Sequence, residues 1–421
     1  MRPCHSGPGP AGRRRAAAAL AVAIALALPA SAAAGPLGRA LDHLSARQDP
    51  SAGGFAADDG TDPAFSAWTA MAVAAAGEDP GAWRRGRASL AGAVARPLGS
   101  AQLGDLERTA VAAAASGLDP RAVGGRNLVR AVLRAQRPDG AIGDSPSTTA
   151  WGILALRAGG MAPGARAIRR ARAALERRQR EDGGWALALE SPGSGPNTTS
   201  AAVQALVAAG RRPGRSSALA SARQFLASAQ NGDGGFPAVV GAGSTALTTA
   251  WVAVALHALG EDPARAPWSR EGGPLMYLRR LQLPDGGVRN MRGSSGSSVW
   301  ATSQAALAFA RRPLPLGPRS ERAVPRRVPR VVWREPAAGG RVTGPVIVRY
   351  RDDDGGTGVD PGAVRLTMGG RDVTDRALVT PFALQYPGDA VPAGRVTVRL
   401  TLADRAGHAT ASRWRIRGPG R

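Results

Sequence analysis

The sequence predicts a mainly α fold, an (α/α)6 toroid of six helical hairpins followed by a small all-β sandwich. Three observations predict it. A Gln-x-x-Asp-Gly unit recurs four times, six nearly all-apolar segments follow at regular spacing, and the pattern changes to alternating apolar and polar residues beyond residue 328.

The unit appears as Gln136-Arg-Pro-Asp139-Gly140, Gln179-Arg-Glu-Asp182-Gly183-Gly184-Trp185, Gln230-Asn-Gly-Asp233-Gly234-Gly235-Phe236 and Gln282-Leu-Pro-Asp285-Gly286-Gly287, with a looser copy from Gln48 to Phe55. In all five an apolar residue stands four positions before the Gln: Leu44, Val132, Leu175, Leu226 and Leu278. That spacing puts both on one face of a helix ending at the Gln, and Asp-Gly supplies a tight turn after it. A fixed period of this size marks stacked supersecondary units.

After each turn a polar loop leads into a segment that is small and apolar throughout. These are 65–77, 106–117, 148–160, 198–210, 248–260 and 298–310, with starts 41, 42, 50, 50 and 50 residues apart. Their Ala, Ser and Gly let backbones approach closely, and Thr148, Thr198 and Thr248 are read as N-caps. Arg-rich amphipathic segments such as 163–178 and 216–229 alternate with them. A helix apolar on every side must be buried, while an amphipathic one can face water. Six of each predict two concentric layers.

The Gln-x-x-Asp-Gly-Gly-Trp unit, with Thr-Thr-Ala-Trp ending at Trp151 and Trp251, resembles the prenyltransferase and squalene oxidase repeat of terpenoid cyclases and protein prenyltransferases. The resemblance covers about residues 36–310 of a helical domain predicted over 33–310. It implies that Gln136, Asp139, Gln179, Asp182, Trp185, Gln230, Asp233, Phe236, Gln282 and Asp285 brace the outer helices. The family's mechanisms do not carry over with the repeat. Squalene cyclases start with an Asp-x-Asp-Asp acid motif, which residues 33–310 lack, and the zinc-dependent prenyltransferases need a Cys ligand that the mature chain does not have. No cofactor is implied.

Chemistry is expected where the apolar helices begin and loops converge. Asp58, Asp59 and Asp62 imitate an Asp-Asp-x-x-Asp magnesium diphosphate box, but that box works on a helix. Gly60 and Pro63 make this stretch a loop, read first as a solvated turn and second as a metal or diphosphate site. Glu107, Asp144 and His257 are polar candidates for acid–base work, each also readable as a cap or a core residue. Trp68, Trp151, Trp251 and Trp300 fall near the first turn of four apolar helices. They predict an apolar floor for a lipid-like or flat ligand, or packing against the outer helices.

The helical pattern breaks at residue 310. Residues 311–328 hold prolines and arginines without periodicity and read as a linker. Over 329–418, short alternating runs such as Arg395-Val-Thr-Val-Arg-Leu-Thr-Leu402 read as antiparallel strands. The phrase Ala403-Asp404-Arg-Ala-Gly407-His408 resembles the closing hairpin of bacterial immunoglobulin-like domains, so the resemblance implies an immunoglobulin-like sandwich. Asp352, Asp354 and Asp360 have calcium-like oxygen chemistry without the full spacing of a calcium loop. A solvated loop is the first reading there.

At the other end, Arg13 to Arg15 precede an apolar run from Ala16 to Pro29 and then Ala30-Ser31-Ala32. Residues 1–32 therefore read as a secretory signal cleaved near Ala32, and the product as secreted or held in the cell envelope. Cys4, the one cysteine, falls within that segment, which excludes disulfides, thiolate metal sites and a cysteine nucleophile from the mature chain. No later segment is apolar enough to span a membrane. All 55 basic residues are Arg, and 51 of them face 31 acids after residue 32 without concentrating in one arm. A basic surface favours an anionic envelope, and nucleic acid is not expected of an exported protein. The first functional expectation is a non-catalytic envelope protein whose toroid holds a small or lipid-like ligand. The second is a terpenoid cyclase or prenyltransferase-like enzyme with an atypical active site.

Overall fold

The structure is a computed structural model that describes residues 35–57, 60–61, 63–99, 101–316, 328–352, 359–404 and 409–419. The predicted signal 1–32, most of the linker, and Asp58, Asp59, Asp62 and Asp354 lie outside the described residues.

Among the described residues α-helices follow one another in six pairs. These are α1 (Pro36–Arg47) and α2 (Pro63–Ala75), α3 (Leu90–Val94) and α4 (Leu103–Ala115), α5 (Leu128–Arg134) and α6 (Pro146–Ala158), α7 (Arg166–Arg177) and α8 (Pro196–Ala208), α9 (Ser217–Ala229) and α10 (Ala246–Ala258), and α11 (Gly273–Leu281) and α12 (Val299–Ala310). The first member of a pair buries a stripe. In α7 that stripe is Ile168, Ala171, Ala174 and Leu175, with arginines on the remaining face. The second member is buried nearly all round, as α10 is from Thr248 to Leu256. Two of the odd helices are shorter than the sequence suggests, α3 with five residues and α5 with seven.

The N-caps of α6, α8 and α10 lie three residues before the predicted ones. Ser145 and Thr245 are the N-caps of α6 and α10, each accepting the amide of Thr148 or Thr248, and α8 starts from Gly195 without a side-chain cap. Thr148, Thr198 and Thr248 therefore sit in the first turn. Pro at the first position of α6 and α8 explains the shift, because its missing N–H and fixed φ suit a helix start. In α12 Ser298 is itself the cap, so that helix starts 53 residues after α10, against the 50 the sequence spacing predicts.

Each even helix packs against the next, α2 on α4 and onward to α12, and α12 also packs on α2. The odd helices lie outside these contacts, α1 against α12 and α7 against both α6 and α8. The Gln residues clip the assembly. Each Nε2 donates to the glycine carbonyl of its own turn and to a carbonyl at or shortly before the start of the next odd helix. Gln136 reaches Ala167, Gln179 reaches Ala218, Gln230 reaches Trp268 and Gln282 reaches Pro36, all at 2.8–2.9 Å. Within the turns Gly140 has φ +93°, and a Cβ there would stand 2.6 Å from the Arg170 carbonyl oxygen, so both conformation and space demand glycine. Trp185 is fully buried and donates from Nε1 to the Leu175 carbonyl at 2.7 Å, and Phe236 is fully buried as well.

Short antiparallel pairs join the loops of the helical part, β1 (Ala56–Ala57) with β2 (Gly60–Thr61) and β3 (Phe236–Pro237) with β4 (Ser244–Thr245). Beyond residue 328 the strands are β5 (Arg330–Glu335), β6 (Val346–Arg351), β7 (Arg365–Met368), β8 (Arg371–Asp372), β9 (Leu378–Val379), β10 (Ala383–Tyr386), β11 (Arg395–Ala403) and β12 (Ala409–Arg417). They form two four-stranded antiparallel sheets, ordered β5-β6-β10-β9 and β12-β11-β7-β8. Alternation aims Val396, Val398, Leu400 and Leu402 of β11 inward, where they share one core with Val348, Tyr350, Leu366 and Trp414.

Candidate functional site

Five of the six even helices come into register through one hydroxyl each. Ser66, Thr149, Thr199, Thr249 and Thr302, all in the first turn, accept the amide of Phe55, Ile142, Trp185, Phe236 and Val288 at 2.8–3.2 Å. Two residues further along, the same level carries Trp68 on α2, Trp151 on α6, Ala201 on α8, Trp251 on α10 and Gln304 on α12. On α4, where Leu106 replaces the hydroxyl, it carries Arg108. All six line one cavity of about 180 Å³. Ser147, Asn197, Leu247 and Trp300, one turn earlier on their helices, line it too, together with Leu187 from the loop before α8.

Three of the four predicted tryptophans come together here. Trp151 and Trp251 stack at 5.3 Å with rings 4° apart, and Trp68 meets both edge-on at 5.6 and 5.3 Å. Each is at most 8% exposed, so the three indoles fill the centre and the cavity lies beside them. All four predicted tryptophans line the cavity, three of them packed on one another rather than spread as a flat floor. Trp300 stands apart, 39% exposed and tilted on Phe65 at 5.5 Å, because its helix starts later than the regular spacing predicts. With its amide turned to satisfy both contacts, Gln304 accepts from Trp300 Nε1 and donates to the Leu247 carbonyl.

Arg108 is the cation on the wall and is held by Asp105, one turn back, at 2.5 Å. The preceding residue, Glu107, is fully buried, and neither carboxyl oxygen has a hydrogen-bond partner among the described residues. Burial pushes its carboxyl well above the usual carboxylate range, and the nearby Arg108 guanidinium offsets only part of that. The repeat gives a reason for the missing partner. The residue equivalent to Glu107 on α12 is Ser303, whose hydroxyl lies 2.8 Å from Thr69 of the next helix in the series. On α6, which follows α4, the position equivalent to Thr69 is Gly152, which has no side-chain donor to offer.

The remaining candidates do not join this site. His257 sits in the last turn of α10, about 16.5 Å along the helix from its start at 1.5 Å per residue. Burial, helped by Arg311, pulls its ring down to about 4. Asp144 is exposed just before the cap of α6. In the sheet region Asp360 accepts the Gly362 amide at 2.9 Å and so caps a short turn, and among the described residues no three His, Cys, Asp or Glu gather as a metal group. Arg108, Ala201, Asn197 and Gln304 escaped the sequence reading. Aligning the six segments on the hydroxyl that follows each cap would have placed them.

Among the described residues no helix is long and apolar enough to cross a membrane. No protein-family profile and no curated protein matches the chain. Several solved structures resemble it at low identity. A wild-type glycosidase is 16% identical over 66% of this chain and 96% of its own, with a TM-score of 0.45. A type II terpene cyclase from Scytonema is 13% identical over 66% and 95%, with a TM-score of 0.44. An ent-copalyl diphosphate synthase from Streptomyces platensis is 19% identical over 59% and 50%, with a TM-score of 0.42. These neighbours are enzymes, against the expectation of a non-catalytic binding protein.

Proposed function

We propose that this chain is an enzyme on a closed (α/α)6 toroid, similar to a terpenoid cyclase but with an active site of its own, in which Glu107 is the proton donor. The observation that carries this reading is the fully buried, unpartnered Glu107 carboxyl one residue from the cavity wall. Burial makes that carboxyl hold its proton to higher pH than an ordinary carboxylic acid, which favours the protonated form that a proton donor to an alkene needs. The indoles of Trp68, Trp151 and Trp251 line the same cavity, and their π electrons would stabilise the cation so formed. Closure is supported by the Thr69–Ser303 contact between α2 and α12 and by the Gln282–Pro36 clip.

Cavity size restricts the substrate. At about 180 Å³ it is smaller than the roughly 300–1,000 Å³ of sites that enclose a drug-sized ligand, so it admits the reacting end of a chain. Leu187, Leu189, Val239 and Val240 are 50–69% exposed on the loops leading into α8 and α10, and offer apolar surface to the remainder. The two sheets with a common core support an immunoglobulin-like sandwich as the second domain, over 329–418. The basic and apolar pattern of residues 13–32 supports export of the whole.

Incubation of the purified protein with squalene and with geranylgeranyl diphosphate, followed by gas chromatography and mass spectrometry, tests the reading. A cyclised product is expected, reduced by about 10²-fold or more in Glu107→Gln, the contribution typical of a general acid. Failure to form product from either substrate, or product formation indifferent to Glu107→Gln, sinks it.

A further inference from the structure

The turns after α7 and α9 share a detail that the turn after α11 alters. Asp182 Oδ1 accepts from the Gly184 amide and from Ser194 Oγ at 2.9 and 2.8 Å, and Asp233 Oδ1 accepts from Gly235 and Ser244 at 3.0 and 2.8 Å. An aromatic ring five residues before the next repeat Gln lies against each glycine, Phe225 at Gly184 and Tyr277 at Gly235. In the last turn Asp285 still accepts the Gly287 amide at 3.0 Å, but the ring against Gly287 is His43 of α1, five residues before Gln48. His43 stands between the aspartate and the serine. Its Nδ1 lies 3.2 Å from Asp285 Oδ2 and its Nε2 lies 3.3 Å from Ser297 Oγ.

We propose that Asp285, His43 and Ser297 form a Ser-His-Asp relay that makes Ser297 an acylatable nucleophile toward small esters, independently of the tryptophan-lined cavity. The order of groups is that of an activated serine, with a base in contact with the hydroxyl and a carboxylate holding the far nitrogen of the base. Ser297 attacks the ester carbonyl as its proton passes to His43 Nε2. The departing alkoxide takes that proton and leaves an acyl-serine. Water, deprotonated by the same nitrogen, then releases the acid and restores the hydroxyl. Ser297 is half-buried at the end of a loop whose Gly293, Ser295 and Gly296 are exposed, an opening suited to a short acyl group. It is followed by the start of α12, whose first amides at Val299 and Trp300 have no partner within the helix and lie at the positive end of its dipole, the end that favours an oxyanion. His43 has a fully buried side chain, and burial together with Arg47 holds its ring below the ordinary histidine range, in the neutral form a base requires.

Arg47 decides the tautomer. Its Nη1 lies 3.0 Å from His43 Nδ1, and its Nη2 lies 3.7 Å from Asp285. If Arg47 donates to Nδ1, the ring proton moves to Nε2 and Ser297 is idle. If Arg47 pairs with Asp285, Nδ1 donates to the carboxylate and Nε2 accepts from the serine. The Arg47 side chain is 46% exposed and lies within reach of both groups, so it restrains the relay.

Labelling the full chain with a fluorophosphonate, which loses fluoride to such a serine, tests the proposal by intact mass and peptide mapping. One adduct per chain on Ser297 is expected, absent in Ser297→Ala. In His43→Phe, which supplies the ring found at Phe225 and so keeps the packing, labelling should slow by about 10²-fold or more. Arg47→Gln should label faster than the parent. A folded parent protein that takes no adduct at Ser297, a His43→Phe rate equal to the parent's, or slower labelling of Arg47→Gln each overturns it.

Discussion

α2, α6 and α10 share a backbone register with α4, α8 and α12 and differ in what they present at one level. The first three place Trp68, Trp151 and Trp251 there, mutually in contact, and the others place Arg108, Ala201 and Gln304. The hydroxyl that sets the level and the Gln that clips the turn recur in both groups, apart from α4, which has Leu106 in place of the hydroxyl and no Gln unit in the turn before it. Regular positions thus fix distances, and the irregular ones carry chemistry: a ring gives way to a methyl at Ala201, an alanine or serine to Glu107, and an aromatic ring to His43. Local rules that agree everywhere except at a few sites are what a functional scaffold shows.

The sharpest way to break this contrast is to remove a ring from the filled side. Trp151→Ala should lower stability by about 3–5 kcal/mol in urea unfolding, since it deletes a buried indole from a stacked trio. Arg108→Ala, which removes a partly exposed ion pair with Asp105, should cost no more than about 1 kcal/mol. Equal losses would erase the distinction between the two sets of helices. The next effect concerns the feature both sets share. Gln230→Ala leaves the buried carbonyls of Gly234 and Trp268 without their donor and should cost about 1–3 kcal/mol, with Gln179→Ala close to it. If only one of the pair matters, the clips are not equivalent.

The smallest effect sharpens the chemical side. Glu107 in the folded protein titrates above its unfolded value of about 4.5, so its contribution to stability is complete below that value and is lost as pH rises through the folded-state pKa. Melting temperature followed from pH 4.5 to pH 8 should fall more steeply in the parent than in Glu107→Gln. A variant with the parent's slope would show that the carboxyl titrates elsewhere in the structure.

The layered helices were legible because a fixed unit and all-apolar segments leave little freedom in how they stack. Where the reading slipped, the residues show why. Thr148 has the identity of a cap, yet Ser145 and Pro146 supply both cap and first position, and a three-residue shift follows. Ser298 looks equivalent to Thr248 in spacing but is a cap, which put Trp300 at the wrong level. Glu107 was named among the acid–base candidates, while its lack of a partner depends on Gly152 of another helix and could not be read from spacing. His43, Asp285 and Ser297 come together across more than two hundred residues. Their one trace in the sequence is the position five residues before each repeat Gln, where Phe225 and Tyr277 have His43 as their counterpart.

The Gln282–Pro36 clip joins residues 246 positions apart, and α1 packs on α12. As the chain leaves the ribosome, α1 emerges before the surface that receives Leu37, Leu41 and Leu44 exists, and its oily stripe must wait until α12, Val299–Ala310, has been made. Such distant pairing makes the seam the slow step of assembly and the first place for a nascent chain to meet a chaperone or a neighbouring copy.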